Sequence, residues 1–329
     1  MRADPLDWLL GSDAPAVRHL ALRDLVGEPA DSPVLHRARR AAMRADPIAA
    51  TLNAQDPAGF WEKPGPGYGR KYTGTTWSLV FLEQFGADGA DRRIRAACEY
   101  VVQHTQASSG GFGVSGSRSE RPPPPSLVIH CLNGNLLRAL IAFGWLHDPR
   151  VRAAIDWETA AIVGDRDHRY YASTTSAPGF ACGVNGGLPC GWGAVKALRG
   201  LAAIPPRQRS RRVREAIDRG VGFLLSADPA TAAYPTATRV SSSWFRLGFP
   251  SGYVADVLQV LEVLAELGRA RDAKLEPAVE LVLSKQDATG RWRNEYDYRG
   301  KMWADVDRPG APSKWVTLRA ARVLKAALG

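Results

Sequence analysis

Two kinds of helical segment alternate along this chain. One kind is apolar nearly all round, and the next carries apolar residues on a single face. Residues 72–85 are of the first kind and 91–104 of the second. The pair recurs at 127–143 with 149–162, at 190–204 with 210–225, and at 253–267 with 273–284, before a last segment at 313–328. The first-kind segments stop at Gly86, Gly144, Ile204 (before Pro205-Pro206) and Gly268, a period of roughly 60 residues. A helix apolar on every side is buried, and an amphipathic one covers it. The pattern therefore predicts an all-α fold, an (α/α) barrel of inner and outer helices formed by residues 55–329. Ahead of it, residues 1–54 predict a helical extension packed on the outside of the barrel, with short helices at 5–10, 14–26, 35–43 and 47–52. Taken alone, that region resembles a HEAT-type helical repeat. Residues 238–245 read as one short extended piece. Arg118-Ser119-Glu120-Arg121 followed by Pro122–Pro125 reads as a stiff surface linker.

A second repeat overlies the first. Gln55…Gly59-Phe60-Trp61 and Gln286…Gly290-Arg291-Trp292 share a Gln-x-x-x-Gly-x-Trp form, and Gln106…Gly110-Gly111-Phe112 is a degenerate copy. With these motifs at the ends of the return helices, residues 45–329 resemble the prenyltransferase and squalene-cyclase repeat superfamily. The resemblance implies a closed (α/α) barrel in which each motif Gln bonds to neighbouring backbone, its Trp stacks on it, and adjacent repeats are stapled together. It also implies isoprenoid chemistry, by cyclisation or prenyl transfer. The segments beginning at Cys131-Leu132-Asn133-Gly134, Cys190-Gly191-Trp192-Gly193 and Pro312-Ser313-Lys314-Trp315 look similar to short bacterial proteins of that superfamily. The Asp-x-Asp-Asp acid motif of its class II cyclases is missing. Asp165-Arg166-Asp167-His168 and Asp305-Val306-Asp307 come nearest.

The cysteines change the picture further. Thirteen residues before the four inner-helix ends stand Thr73, Cys131, Gly191 and Ala255, so Cys131, Cys190 and Asp256 fall at nearly equivalent inner-helix starts. Equivalent starts face one mouth of a barrel, and Cys182, in the Gly-rich loop before Cys190, reaches the same mouth. Three thiols with one nitrogen or oxygen donor suit tetrahedral zinc. Candidates for the fourth ligand are His130, Asp256, His168 or water. The superfamily's protein prenyltransferases hold zinc through Asp, Cys and His, but their Asp-x-Cys spacing is absent here. Cys98, mid-helix, is expected to pack in the core.

Aromatic residues share that register. Trp77, Trp192, Tyr253 and Trp315 lie at inner-helix starts, with Trp244 and Trp303 in the loops between. An aromatic-lined cavity accepts apolar chains and stabilises cations on its ring faces. Polar neighbours in the sequence are Lys71, Tyr72, Arg239, Arg246 and Lys314 as anion or ligand contacts, and Asp256, Asp305 and Asp307 as candidate catalytic acids.

Composition adds less. The 329 residues carry a formal charge of +10, much of it in short Arg clusters on polar helix faces. The charged start of the chain has no long apolar run behind it, which predicts no signal peptide or membrane span and a cytoplasmic setting. The leading expectation is an enzyme of terpenoid-cyclase or prenyl-transfer type acting on an apolar, isoprenoid-like small molecule, with zinc. The alternatives are a non-catalytic barrel that binds a ligand or a protein partner around structural zinc, and a basic HEAT-like solenoid that binds nucleic acid.

Overall fold

The computed structural model describes residues 3–114, 122–164, 169–170, 175–176 and 178–329. Five inner helices follow one another around an axis: α5 (Thr75–Gln84), α7 (His130–Ala142), α9 (Gly191–Ala202), α11 (Val257–Glu266) and α13 (Lys314–Leu328). Five outer helices accompany them: α4 (Ile48–Asn53), α6 (Arg92–Thr105), α8 (Pro149–Val163), α10 (Arg211–Leu224) and α12 (Glu276–Ser284). The ring closes where Trp315 of α13 meets Phe85 at the end of α5, ring centroids 5.5 Å apart. Trp303 completes the seam by donating from Nε1 to the Thr73 carbonyl at 3.0 Å. Among the described residues the only strands are a two-residue pair, Arg169–Tyr170 with Thr175–Ser176. The helices begin and end within a few residues of where the pattern places them. Residues 72–74 and 253–256 are turns rather than first helical turns, because Gly74 and Asp256 act as N-caps. The piece at 238–245 ends in a 3-10 turn, Ser242–Phe245. The linker at 118–121 lies outside the described residues.

The staples follow one plan. Gln55 donates from Nε2 to the carbonyls of Gly59 and Arg93, and Gln106 to those of Gly110 and Arg150. Each Gln thus closes its own turn and ties it to the start of the next outer helix. Gln286 donates instead to the carbonyl of Ala3 at 3.0 Å, so the last repeat is fastened to the first residues of the chain. The motif glycine is needed twice over. Gly59, Gly110 and Gly290 have φ near +90°, and a Cβ there would stand 2.6–2.8 Å from the carbonyl oxygens of Ala96, Ala153 and Ala3. Each motif aromatic is held from the inner ring too. The N–H groups of Trp61, Phe112 and Trp292 donate to Thr75 Oγ1, Asn133 Oδ1 and Thr317 Oγ1, each at 3.0 Å.

The amino-terminal helices α1 (Leu6–Leu9), α2 (Pro15–Ala21) and α3 (Pro33–Met43) pack on α13 and on each other. Leu20 of α2, with Arg23 and Asp24 in the turn of helix that follows it, lines a cavity between the carboxyl ends of the inner helices. The division at residue 54 falls inside a repeat, since α4 is the outer partner of α5 and Trp61 donates from Nε1 to the Thr51 carbonyl of α4 at 2.7 Å. The contact of α13 with the end of α5 closes the ring, which an open HEAT-like solenoid does not do.

Candidate functional site

Helices α7 and α9 make the closest contact in the ring. A Cβ at Gly134 would stand 2.2 Å from the Lys196 carbonyl oxygen, and one at Gly200 would stand 2.8 Å from that of Gly134. This approach sets their amino ends side by side, with Cys131 in the first turn of α7 and Cys190 at the N-cap of α9. The Cys190 sulfur accepts the Gly193 N–H at 3.5 Å. The preceding loop folds back as a small hairpin. Cys182 N–H donates to the Leu188 carbonyl, Cys190 N–H to that of Phe180, and Ala181 bridges Pro189. Asn185 ties this hairpin to residues 235–237 by donating to the Pro235 carbonyl and accepting from Ala237 N–H.

Cys131, Cys182 and Cys190 line one pocket of about 200 Å³ together with Trp192, Tyr234, Trp244 and Tyr253, with Arg239 on its exposed side. Behind it is a void of about 20 Å³, bounded by the same three cysteines and by His130, Phe180 and Gly193. The neighbouring Cys190 thiol, helped by the backbone N–H groups of Asn185 and Val184 and by His130 nearby, outweighs burial and lowers the Cys182 thiol to about 6. The Cys182 thiol and burial push Cys190 the other way. Cys131 is pushed up to about 12 by burial. In zinc-free protein, alkylation of Cys182 by iodoacetamide is expected to rise with pH through a midpoint near 6, because the thiolate is the nucleophile. Cys190→Ala, which removes the neighbouring thiol, is expected to move that midpoint upward. A midpoint at the ordinary thiol value in the wild type contradicts this electrostatic account.

His130 is buried between Trp157 and Phe180. Its Nδ1 bonds Glu158 Oε1 at 2.5 Å, and Asn133 Nδ2 donates to Glu158 Oε2 at 2.6 Å. A carboxylate on one ring nitrogen fixes the orientation and tautomer of an imidazole, as it does for metal-bound histidines. Among the described residues, however, no group of three or more His, Cys, Asp or Glu stands in a metal-holding arrangement. The structure supplies zinc's donor chemistry around one void and does not show a formed metal centre. Asp165, Asp167 and His168 lie outside the described residues.

The remaining site residues divide. Lys71 reaches the same mouth, its Nζ 4.3 Å from the Tyr253 ring centroid. Trp77 and Trp315 do not face the pocket. Trp77 packs against Tyr72 and donates to the Tyr68 carbonyl, while Trp315 stacks on Phe249 at 4.4 Å. Tyr72 lies against Tyr298, Trp303 is held at the seam, and Arg246 covers Tyr296. Lys314 pairs with Asp13 at 2.5 Å and sits over Trp8. Trp77, Trp315 and Tyr72 are buried in the core, which accounts for their shared register.

The three carboxylates stand apart from the thiols. Asp256 caps α11 and pairs with Arg319 at 3.1 Å, which removes it as a fourth ligand or a free acid. Asp305 accepts from Gly300 N–H and faces Arg299. Asp307 accepts from Ser313 Oγ at 2.5 Å, and burial raises its pKa to about 6 despite that bond.

Sequence reasoning passed over Glu158, Tyr234 and Lys196. Glu158 had a signal: it shares the buried stripe of α8 with Val151, Ala154 and Ala161, so a carboxylate there needs a partner. Lys196 is fully buried, donates to Gln259 Oε1 at 2.6 Å, and is driven well below its ordinary pKa by burial.

No family model matches the chain, and no curated protein matches it. Among solved structures it is similar to the type II terpene cyclase MstE from Scytonema. Identity is 13% over 94% of this chain and 86% of that one, with a TM-score of 0.44. A form of that cyclase in complex with merosterolic acid A, its product, matches at 15% identity over 95% and 86%, with a TM-score of 0.43. A family 10 polysaccharide lyase from Cellvibrio cellulosa matches at 17% identity over 73% of this chain and 82% of that one, with a TM-score of 0.37. The chain is essentially all-α, and its inner ring closes where Trp315 meets Phe85. No helix among the described residues is long and apolar enough to cross a membrane.

Proposed function

We propose that the amino-terminal mouth of this barrel binds the apolar end of an isoprenoid-like small molecule beside a thiolate centre that takes zinc through Cys131, Cys182 and Cys190. One observation carries the reading: three thiols and four aromatic side chains line a single pocket that no carboxylate lines among the described residues. Rings accept an apolar chain and favour developing positive charge on their faces. Thiolates are soft donors suited to zinc, and the low pKa of Cys182 makes one available near neutrality. His130, braced by Glu158 and bounding the same void, supports a nitrogen as the fourth donor. Zinc, when bound, supplies a Lewis-acidic or purely structural centre. The chain's own residues seat the apolar group and exclude water from it. None of Asp256, Asp305 and Asp307 opens into the pocket, so the arrangement favours group transfer or binding over acid-initiated cyclisation.

A second reading is supported by the shared place of Cys182 and Cys190 in the walls of the pocket and of the void behind it. The two thiols form a metal-free reactive pair in the same pocket, and zinc content separates the two readings. For the ligand, titration with farnesol is expected to change the tryptophan emission of the wild type saturably, and Trp192→Leu is expected to abolish most of that change. A wild type that keeps its emission unchanged up to the solubility limit of farnesol contradicts the apolar-ligand reading.

A further inference from the structure

At the opposite end of the ring, between the carboxyl halves of the inner helices, lies a cavity of about 430 Å³. Five guanidinium groups line it, from Arg23, Arg138, Arg199, Arg319 and Arg322, facing four carboxylates, Asp24, Glu83, Glu262 and Glu266. Most of these charges are mutually satisfied. Arg138 bridges Glu83 at 3.1 Å and Glu266 at 2.5 Å, from α7 to α5 and α11. Arg319 is bound by Glu262 at 2.8 Å and, from behind, by Asp256 at 3.1 Å. Asp24 takes both Arg23 and Arg322. The neutral Gln84 amide is committed to the backbone of Ser251 on both sides.

Two donors are left over. Arg199 makes no hydrogen bond or ion pair among the described residues, yet its guanidinium lines the cavity. Arg322 Nε is buried with no acceptor, although its other end is held by Asp24. Every carboxylate in the wall already has an arginine, so what the cavity lacks is acceptor oxygens. A guanidinium near the end of α9 also complements the helix dipole, but that leaves the orphaned Nε of Arg322 unexplained. Arginine donors without acceptors in a concave site match the planar or tetrahedral oxygens of carboxylate and phosphate.

We propose that this axial cavity is a binding site for a small oxyanion, a carboxylate or phosphate carried by a small metabolite, held by Arg199. The site is separate from the thiol pocket and does not depend on the reading given to that pocket. It is tested by thermal unfolding and isothermal titration at constant ionic strength, with inorganic phosphate and succinate as probes and chloride as the reference. Phosphate or succinate is expected to raise the Tm of the wild type by a few degrees and to bind saturably. Arg199→Gln is expected to lose most of the shift, and Arg199→Lys to keep part of it. Because Arg199 makes no hydrogen bond or ion pair among the described residues and acts on Glu262 only through its charge, Arg199→Gln is expected to fold with a slightly lowered Tm in chloride, and the anion-dependent shift is read against that baseline, so lost binding is distinguishable from lost structure. Which probe binds identifies the anion. Absence of a shift with either probe, or an equal shift in Arg199→Gln, overturns the proposal.

Discussion

Arg319→Met is expected to destabilise the fold by about 3–5 kcal/mol, the cost of breaking a buried ion pair from one side. Its side chain is 4% exposed, and it holds two carboxylates, Asp256 and Glu262, that are 6% and 14% exposed. It also donates to the Gly248 carbonyl at 2.5 Å. Burial alone disfavours ionised Glu262. The charge and hydrogen bonds of Arg319, with Arg199 and Arg322 adding to them, hold its pKa low nonetheless. Methionine fills much of the volume but leaves two buried anions without their cation and the Gly248 carbonyl without its donor. Urea unfolding of the variant measures the loss. Adding Glu262→Gln to it is expected to recover part of the stability, because one stranded charge disappears. A loss below about 1 kcal/mol, the range of an exposed pair, shows that solvent reaches the site.

The second large effect is expected at the staple that joins the two ends of the chain. Trp292→Ala removes a fully buried indole, at a cost of about 3–5 kcal/mol. Trp292 Nε1 donates to the Val282 carbonyl at 2.6 Å, and its backbone N–H donates to Thr317 on α13. The same turn carries Gln286, whose amide holds Ala3. The loss is therefore expected to be uneven. Hydrogen exchange is expected to speed up in residues 3–10 and along α13 more than in α7 or α9. The matching change at the other end, Trp61→Ala, is expected to loosen α4 and α5 and leave residues 3–10 protected. Equal acceleration throughout the ring contradicts the staple account.

The ring was legible because its signal is repetitive: an all-apolar helix followed by a one-faced helix, four times over, with a turn of Gln and a later aromatic residue, Trp twice and Phe once, at three of the junctions. The meeting of Cys131, Cys182 and Cys190 was legible for the same reason, since equivalent helix starts share one mouth. Other positions were harder to assign because one residue type serves two purposes. Aspartate at an inner-helix start is also the preferred N-cap, and Asp256 caps α11. Tryptophan at an inner-helix start also fills the space between rings, which is what Trp77 and Trp315 do. The axial charges were hidden for a different reason. Arg138, Glu83, Glu262, Glu266 and Arg319 sit on four different helices, and each reads locally as a polar break in an apolar segment. Only closure of the ring brings them together, and no local period records closure.

The most direct test of the thiolate centre is the metal content of protein purified without chelator, measured by elemental analysis. The wild type and Cys98→Ser are expected to carry about one zinc per chain, because Cys98 is buried in α6 away from the pocket. Cys131→Ser, Cys182→Ser and Cys190→Ser are each expected to lose it. A folded wild type without zinc, or zinc that survives all three substitutions, contradicts the centre and leaves Cys182 and Cys190 as a metal-free thiol pair.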